Sequence, residues 1–93
     1  MVVGTIVVDL NLPGVNSLKE KRRRLKPLLA KLQSRFNVSV AEVGMNDIHR
    51  SAQVGVALVS NSKVFVDQVI SSIVGTIAST PEINMVDYRV EIL

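Results

Sequence analysis

Residues Asn16–Phe36 read NSLKEKRRRLKPLLAKLQSRF, and this stretch has the residue pattern of an amphipathic helix. Ser17 is placed to accept a hydrogen bond from a free amide of the first turn, and Glu20 to accept one from the N-cap amide, which is the capping-box arrangement. Apolar side chains then recur at helical spacing and form a stripe that needs an apolar support. They are Leu18, Leu25, Leu28, Leu29, Leu32 and Phe36. Pro27 points away from this stripe and predicts a bend, with a second helical segment beginning near Lys26 as the alternative.

The polar side of this predicted helix is cationic. Eight basic residues accompany one acid, Glu20, so the rest of a chain whose net charge is +3 must be net negative. The basic residues are Lys19, Lys21, Arg22, Arg23, Arg24, Lys26, Lys31 and Arg35. Cations gathered on one face favour contact with the phosphates of RNA, because neutralising phosphates releases counterions. The alternative is a solvated helix face, although such a face normally interleaves both signs of charge.

Two of these cations, Lys21 and Arg22, flank the apolar stripe near its N-terminal end. We expect them either to reach past the helix toward a groove or to lie over the edge of the core. Asp9 and Asn11 end the first predicted strand, where they either cap the turn or orient Lys or Arg side chains.

Composition excludes several kinds of chemistry. The chain has no Cys, which excludes disulfides, zinc–thiolate sites and thiol nucleophiles and is compatible with the cytoplasm. Its glycines are isolated rather than clustered before a helix, and no carboxylate pair, Ser-His-Asp set or metal-ligand spacing occurs. No apolar run approaches the roughly 18 residues of a membrane span. We therefore expect a soluble, unprocessed, cytoplasmic and non-enzymatic protein with no cofactor, metal, membrane or small-molecule substrate.

One turn carries the single His of the chain. Asp47 and His49 lie in the segment Asn46–Arg50, and they would suit a general base or a metal ligand if further partners were near. With no Cys and one nearby acid, a solvent-exposed loop is the simpler interpretation.

The remaining chain alternates between strand and helix patterns. Apolar residues at period two predict strands at Val2–Leu12, Val38–Val43, Ser51–Ser60 and Ile83–Leu93. A second helix begins after Asn61-Ser62 and ends near Ser79. The order β-α-β-β-α-β predicts one domain over residues 1–93, of the α+β class and ferredoxin-like, with a four-stranded antiparallel sheet and both helices on one face. In the last strand, the residues expected to point toward the helices are Val86, Tyr88, Val90 and Ile92.

The other side of the predicted sheet, here called the open face, has no helix to cover it. Its central residues are Val3, Thr5, Val7, Gly55, Ala57 and Val59, with Asp87, Arg89 and Glu91 nearer one edge. Because no aromatic ring stands at these central positions, bases cannot stack there as they do on RRM-type sheets. Small and β-branched side chains instead favour contact with another protein, and a homodimer is expected. The alternative is scattered apolar surface too modest to bind anything.

Several strings of the sequence resemble the YlxP-like family of small bacterial proteins, over essentially the whole chain. They are SLKEKRR at 17–23, RFNVSVAEV at 35–43, the turn Pro13-Gly14 and the string Val59-Ser60-Asn61. The resemblance implies a ferredoxin-like fold. Members are often encoded beside transcription-elongation, translation-initiation and ribosome-maturation factors, which implies work on RNA or the ribosome. No catalytic residues are established for the family, so the resemblance adds none.

Overall fold

A computed structural model describes residues 1–93 and contains four strands and two helices. In chain order they are β1 (Val2–Asn11), α1 (Leu18–Arg35), β2 (Ser39–Gly44), β3 (Ser51–Ser60), α2 (Lys63–Ala78) and β4 (Asn84–Ile92). The predicted β-α-β-β-α-β order is therefore confirmed, with each boundary within a few residues of the prediction.

The four strands form one sheet in the order β2-β3-β1-β4, and every neighbouring pair is antiparallel. The two strands that each helix connects run parallel, but one antiparallel strand separates them. β1 and β3 are therefore the central strands, and β2 and β4 are the edges. This arrangement brings the first and third strands together, so their side chains dominate both faces of the sheet.

The core lies between the sheet and the two helices. Burial alternates along β1, where Ile6, Val8 and Leu10 are buried against the helices while their neighbours face the other way. Leu25, Leu28 and Leu32 of α1 join the same cluster, as do Val66, Ile70, Ile73 and Ile77 of α2. Both helices thus cover one face of the sheet, and the open face is the other one.

Helix α1 is continuous through Pro27, so the alternative of a second segment beginning near Lys26 is wrong. Pro27 lies on the exposed side, where the carbonyl that loses its amide partner can bind water. The Ser17 Oγ accepts a hydrogen bond from the Glu20 amide at 3.1 Å, as the capping box predicts. The Glu20 carboxylate accepts its bond from the Asn16 amide at 3.2 Å, one residue before the N-cap.

Strand β4 differs from its prediction at one residue. Asp9 pairs with Asp87 but Leu10 pairs with Met85, so Val86 is an extra residue in a β-bulge. Val86 was expected to point inward and is instead 68% exposed, because the bulge places Met85 opposite Leu10. Tyr88 and Val90 do align with the buried side of β1, yet they stay partly exposed because β4 is an edge strand.

Two glycines provide a matched test of this packing. A Cβ added at Gly4, on the covered side of β1, would overlap the Val66 side chain, whereas a Cβ at Gly75 in α2 meets no atom within 4 Å. We expect Gly4→Ala to lower the free energy of unfolding by about 1–3 kcal/mol through overpacking. Gly75→Ala should raise it by about 0.5–1 kcal/mol, because alanine is the better helix former. Urea denaturation measures both changes, and a neutral Gly4→Ala would contradict the close approach of α2 to β1.

Candidate nucleic-acid interface

Six of the eight basic residues of α1 are exposed and have no carboxylate within 4.0 Å. They are Lys19, Arg22, Arg23, Lys26, Lys31 and Arg35. Glu20 and Glu82 border the same depression as Lys19 and Arg23 but form no ion pair with them, and the ion pairs that do form use Lys21, Arg24 and Arg89. The outward side of α1 therefore carries positive charge that the molecule itself does not neutralise.

The exposed cations divide into two groups around the helix. At 100° per residue, Lys19, Arg22, Arg23 and Lys26 fall within one arc of about 100°, which runs from Arg22 beside the leucine stripe to Arg23 opposite it, and they extend over about 10 Å of the helix axis. We call these four residues the outer basic face. Lys31 and Arg35 follow Arg24 at helical spacing and lie on the flank that Arg24 occupies. The outer basic face is thus the denser of the two groups.

The position of this charge along α1 does not stabilise the helix. The N-terminal end of a helix carries the positive end of its dipole, and a cation there costs about 0.3–1 kcal/mol. Of the outer basic face only Lys19 lies in the first turn of α1, where a cation is unfavourable, and only Arg35 of the exposed cations lies in the last turn, where a cation is favourable. Helix stability therefore does not account for the cluster.

Lys21 does not belong to the exposed surface, which corrects its assignment to the nucleic-acid contact. Its side chain is 1% exposed, and its Nζ lies 2.7 Å from Glu42 Oε2 on β2. The same ammonium donates to the carbonyls of Met45 at 2.7 Å and Ile48 at 2.8 Å. Through these two hydrogen bonds and one ion pair, Lys21 attaches α1 to β2 and to the loop after β2.

Arg24 is also largely used within the molecule. Its Nη1 donates to the Pro13 carbonyl at 2.6 Å and to the Glu82 carbonyl at 3.4 Å, and its Nη2 lies 3.9 Å from Glu20 Oε1. The guanidinium therefore joins the start of α1 to the β1–α1 turn and to the α2–β4 connection. Its contribution to an outward surface is small.

The open face contains a shallow apolar depression. Its volume is about 420 Å³, and its floor lies over Gly55, where an added Cβ would come within 2.9 Å of Val43 Cγ1. Of the residues predicted to contact a partner, Thr5, Val7 and Ala57 line this depression, while Val3 and Val59 lie on the same face beyond one end of it. The six predicted partner-contact residues are therefore brought together on one surface.

Comparison with known proteins gives a family. The family described as Protein of unknown function (DUF503) matches residues 3–90. The chain belongs to this family. The DUF503 chain is also 40% identical over 75 residues to the uncharacterized protein YlxP of Bacillus subtilis (strain 168), covering 81% of this chain and 82% of that protein. The YlxP-like resemblance predicted from the sequence is thus confirmed.

Solved structures confirm the fold of the DUF503 chain. The de novo designed protein Foldit4 aligns with a TM-score of 0.55 at 16% identity, covering 100% of this chain and 97% of that one. A de novo designed protein with ferredoxin fold, LFR1 1, aligns with a TM-score of 0.53 at 8% identity, covering 100% and 84%. At these identities the likeness shows the fold alone, and the fold is ferredoxin-like.

Other predicted residues of the DUF503 chain have structural partners rather than a site. Asp9 Oδ1 accepts from Gln53 Nε2 at 3.0 Å, and Asp9 Oδ2 accepts from Arg89 Nη1 at 3.1 Å. The hydrogen bond from Gln53, and then the one from Arg89, hold the pKa of Asp9 below its usual value. Of the two predicted roles of Asp9, the structure shows the one in which it orients an Arg side chain. That side chain is Arg89 of β4 and does not come from the helix. Asn11 pairs with Ser51 and Asn84 at the ends of their strands.

Asp47 and His49 border a shallow depression beside the start of α1. Every residue of the segment Asn46–Arg50 is exposed, and no group of three ligand-type side chains forms anywhere in the structure. Arg50 fastens the segment, because its Nε donates to the Val15 carbonyl and its Nη2 to Asn16 Oδ1, both at 3.0 Å. The segment is thus a fixed loop with exposed side chains. Neither helix of the DUF503 chain is long and apolar enough to cross a membrane.

Sequence reasoning missed the ion pair between Lys21 and Glu42, although two patterns indicate it. Lys21 lies three residues after Leu18 and four before Leu25, within the apolar stripe rather than beside it. Glu42 shares the covered side of β2 with Val38 and Val40. When two apolar faces pack together and carry one charge each, of opposite sign, the two charges are expected to form a buried pair.

We expect Lys21→Met to lower the free energy of unfolding by about 2–4 kcal/mol, because it leaves the Glu42 carboxylate without its partner. The double variant Lys21→Met/Glu42→Gln should recover part of that loss. Lys26→Met, an exposed position on the same helix, is the matched control and should change stability by about 0.5 kcal/mol or less. Urea denaturation compares the three variants, and equal effects of Lys21→Met and Lys26→Met would contradict the buried pair.

Proposed function

We propose that this protein is a non-enzymatic, cytoplasmic RNA-binding protein that acts on ribosomal RNA or the ribosome. The outer basic face of α1 contacts the RNA backbone. The observation that carries the proposal is that these four cations are exposed and free of any carboxylate partner.

The distribution of acids supports an oriented approach of RNA. Asp9, Asp87 and Glu91 lie on the open face, on the far side of the sheet from α1. Glu42 is paired beneath the helix with Lys21. A polyanion is therefore attracted to one side of the molecule and repelled by the other, and such a field steers association.

The chemistry of the outer basic face favours phosphates over bases. It consists of Lys and Arg side chains with no aromatic residue among them, and the open face has no ring on which a base could stack. Contacts to phosphates position a nucleic acid without reading its sequence. The protein should therefore bind structured RNA with little sequence preference. The gene neighbours implied by the YlxP-like resemblance favour RNA over DNA.

Salt dependence tests this proposal. Binding to a labelled ribosomal RNA hairpin is measured by fluorescence anisotropy between 50 and 200 mM KCl. About four phosphate contacts should give a slope near −3 in the plot of log affinity against log salt concentration. A flat response, or no saturable binding at low salt, would contradict the proposal.

A pair of charge-matched variants tests where RNA binds. Arg22→Gln/Arg23→Gln removes two cations from the outer basic face, and Lys31→Gln/Arg35→Gln removes two from the flank. We expect the first variant to lose at least tenfold in affinity and about 1.5 in salt slope, since each lost phosphate contact lowers the slope by about 0.7–0.9. The second should lose clearly less. Equal losses would mean that net charge, and not this surface, sets the affinity. Arg24 is left unchanged in both because it supports the loops around α1.

A further inference from the structure

The open face has an apolar area that no part of the chain covers. Val3 and Leu93 exchange both backbone hydrogen bonds, so Leu93 stands on the same face as Val3, with Val59 on its other side. Val59 is 63% exposed and Leu93 is 69% exposed. These three residues form an apolar row across β3, β1 and the end of the chain, next to the depression over Gly55.

The shape of this area suits another sheet. Small residues form the floor of the depression, at Ala41, Gly55 and Ala57, while Val43 and Val59 rise beside it. Two sheets that pack face to face interdigitate such side chains at a separation of about 10 Å. A surface that contains both the hollow and the ridges can be complementary to itself about a two-fold axis.

The charges of the open face disfavour a polyanion and restrict how two copies can meet. Asp9, Asp87 and Glu91 outnumber Arg89. Asp87 and Glu91 lie on the edge strand β4, whereas Asp9 lies near the end of the central strand β1 and is paired with Arg89. A two-fold axis parallel to the strands would lay β4 of one copy over β2 of the other, whose residues on this face include Ser39 and Ala41. Asp87 and Glu91 of the two copies then lie at opposite rims, and the apolar areas meet between them. This is the polarity pattern of ordinary interfaces.

The open face as a whole, with its charged β4 side included, is large enough for a dimer. With strands about 4.8 Å apart and about 3.4 Å per residue, a four-stranded face eight residues long measures about 19 by 27 Å, or roughly 500 Å². Two copies would bury about 1,000 Å², which is the lower bound of a specific interface. One face is also close to a tenth of the 5484 Å² surface of the chain, the usual share for a small protein in a stable complex.

Both edges of the sheet are protected against pairing. Along an antiparallel strand, backbone amides point alternately toward the neighbouring strand and away from it. Because the Leu93 amide is bonded to β1, the Tyr88 amide points toward the free edge of β4. Asp87 Oδ1 accepts a hydrogen bond from that amide at 2.8 Å. β4 also contains the bulge at Val86, and the other edge strand, β2, has six residues and a register shift between Glu42 and Gly44. Charges, bulges and short strands are the usual protection of edges. Self-association through the open face is therefore favoured over strand addition.

We infer that a second copy of this chain covers the open face, and that the protein is a face-to-face homodimer with an α1 helix on each outer side. This inference goes beyond RNA binding and uses different residues. The two proposals therefore succeed or fail separately.

Sedimentation equilibrium over about 1 µM to 1 mM chain at 150 mM salt tests the inference. The unmodified protein should reach twice the mass of one chain within this range. Ala57→Glu places a charge on the floor of the depression in both copies and should raise the dimer dissociation constant at least 100-fold. Ala30→Glu, at an exposed alanine on α1, is the matched control and should leave the constant unchanged.

Val59→Lys is a second variant of the same face, and it allows the inference to be tested even if Ala57→Glu does not fold. Circular dichroism and urea denaturation establish that each variant is folded. A protein that stays monomeric at 1 mM would overturn the inference, even if the open face were then found to bind a different protein. A dimer of unchanged affinity in both folded open-face variants would also overturn it.

Discussion

The docking of α1 on the sheet determines which of its residues meet solvent. Leu25, Leu28 and Leu32 bury one side of the helix, but an apolar stripe alone permits some rotation and sliding. Lys21 removes that freedom, because its ammonium has satisfactory partners only at Glu42 and the carbonyls of Met45 and Ile48. A buried ion pair contributes little net stability but strongly disfavours other registers, since each of them would leave a buried charge unpaired. The outer basic face therefore has a fixed orientation.

The charge distribution is a compromise between helix stability and an outward positive field. The four exposed cations of the outer basic face repel one another, and Lys19, in the first turn, also opposes the helix dipole. The Ser17 cap and the Glu20 carboxylate act in the other direction at the same end. Asp9, Asp87 and Glu91 lie on the far side of the sheet and Glu42 lies beneath the helix, so these four acids do not neutralise the outer side. Such an arrangement is understandable for a binding surface and has no evident use for stability alone.

Features that repeat at the period of a strand or helix were predictable from the sequence. The order of elements, the Ser17 cap and the six residues of the open face depend only on local spacing. The bulge at Val86 was not predictable, because a register shift depends on how β4 meets β1. The ion pair between Asp9 and Arg89 was not predictable either, because it depends on the same register between β1 and β4. The burial of Lys21 was missed because the sequence interpretation gave more weight to its charge than to its position within the apolar stripe. Local patterns thus place elements and faces, whereas contacts between distant strands require the structure.

The two proposed surfaces are compatible because the sheet separates them. A dimer through the open face leaves both copies of α1 uncovered and places them on opposite sides of a four-layer molecule. With layers about 10 Å apart, the two helices would lie about 30 Å from each other. A short hairpin would reach one outer basic face at a time, whereas a large folded RNA would contact both and gain affinity through effective concentration. Dimerisation would thus favour large RNA particles over short RNAs without any contact that reads sequence.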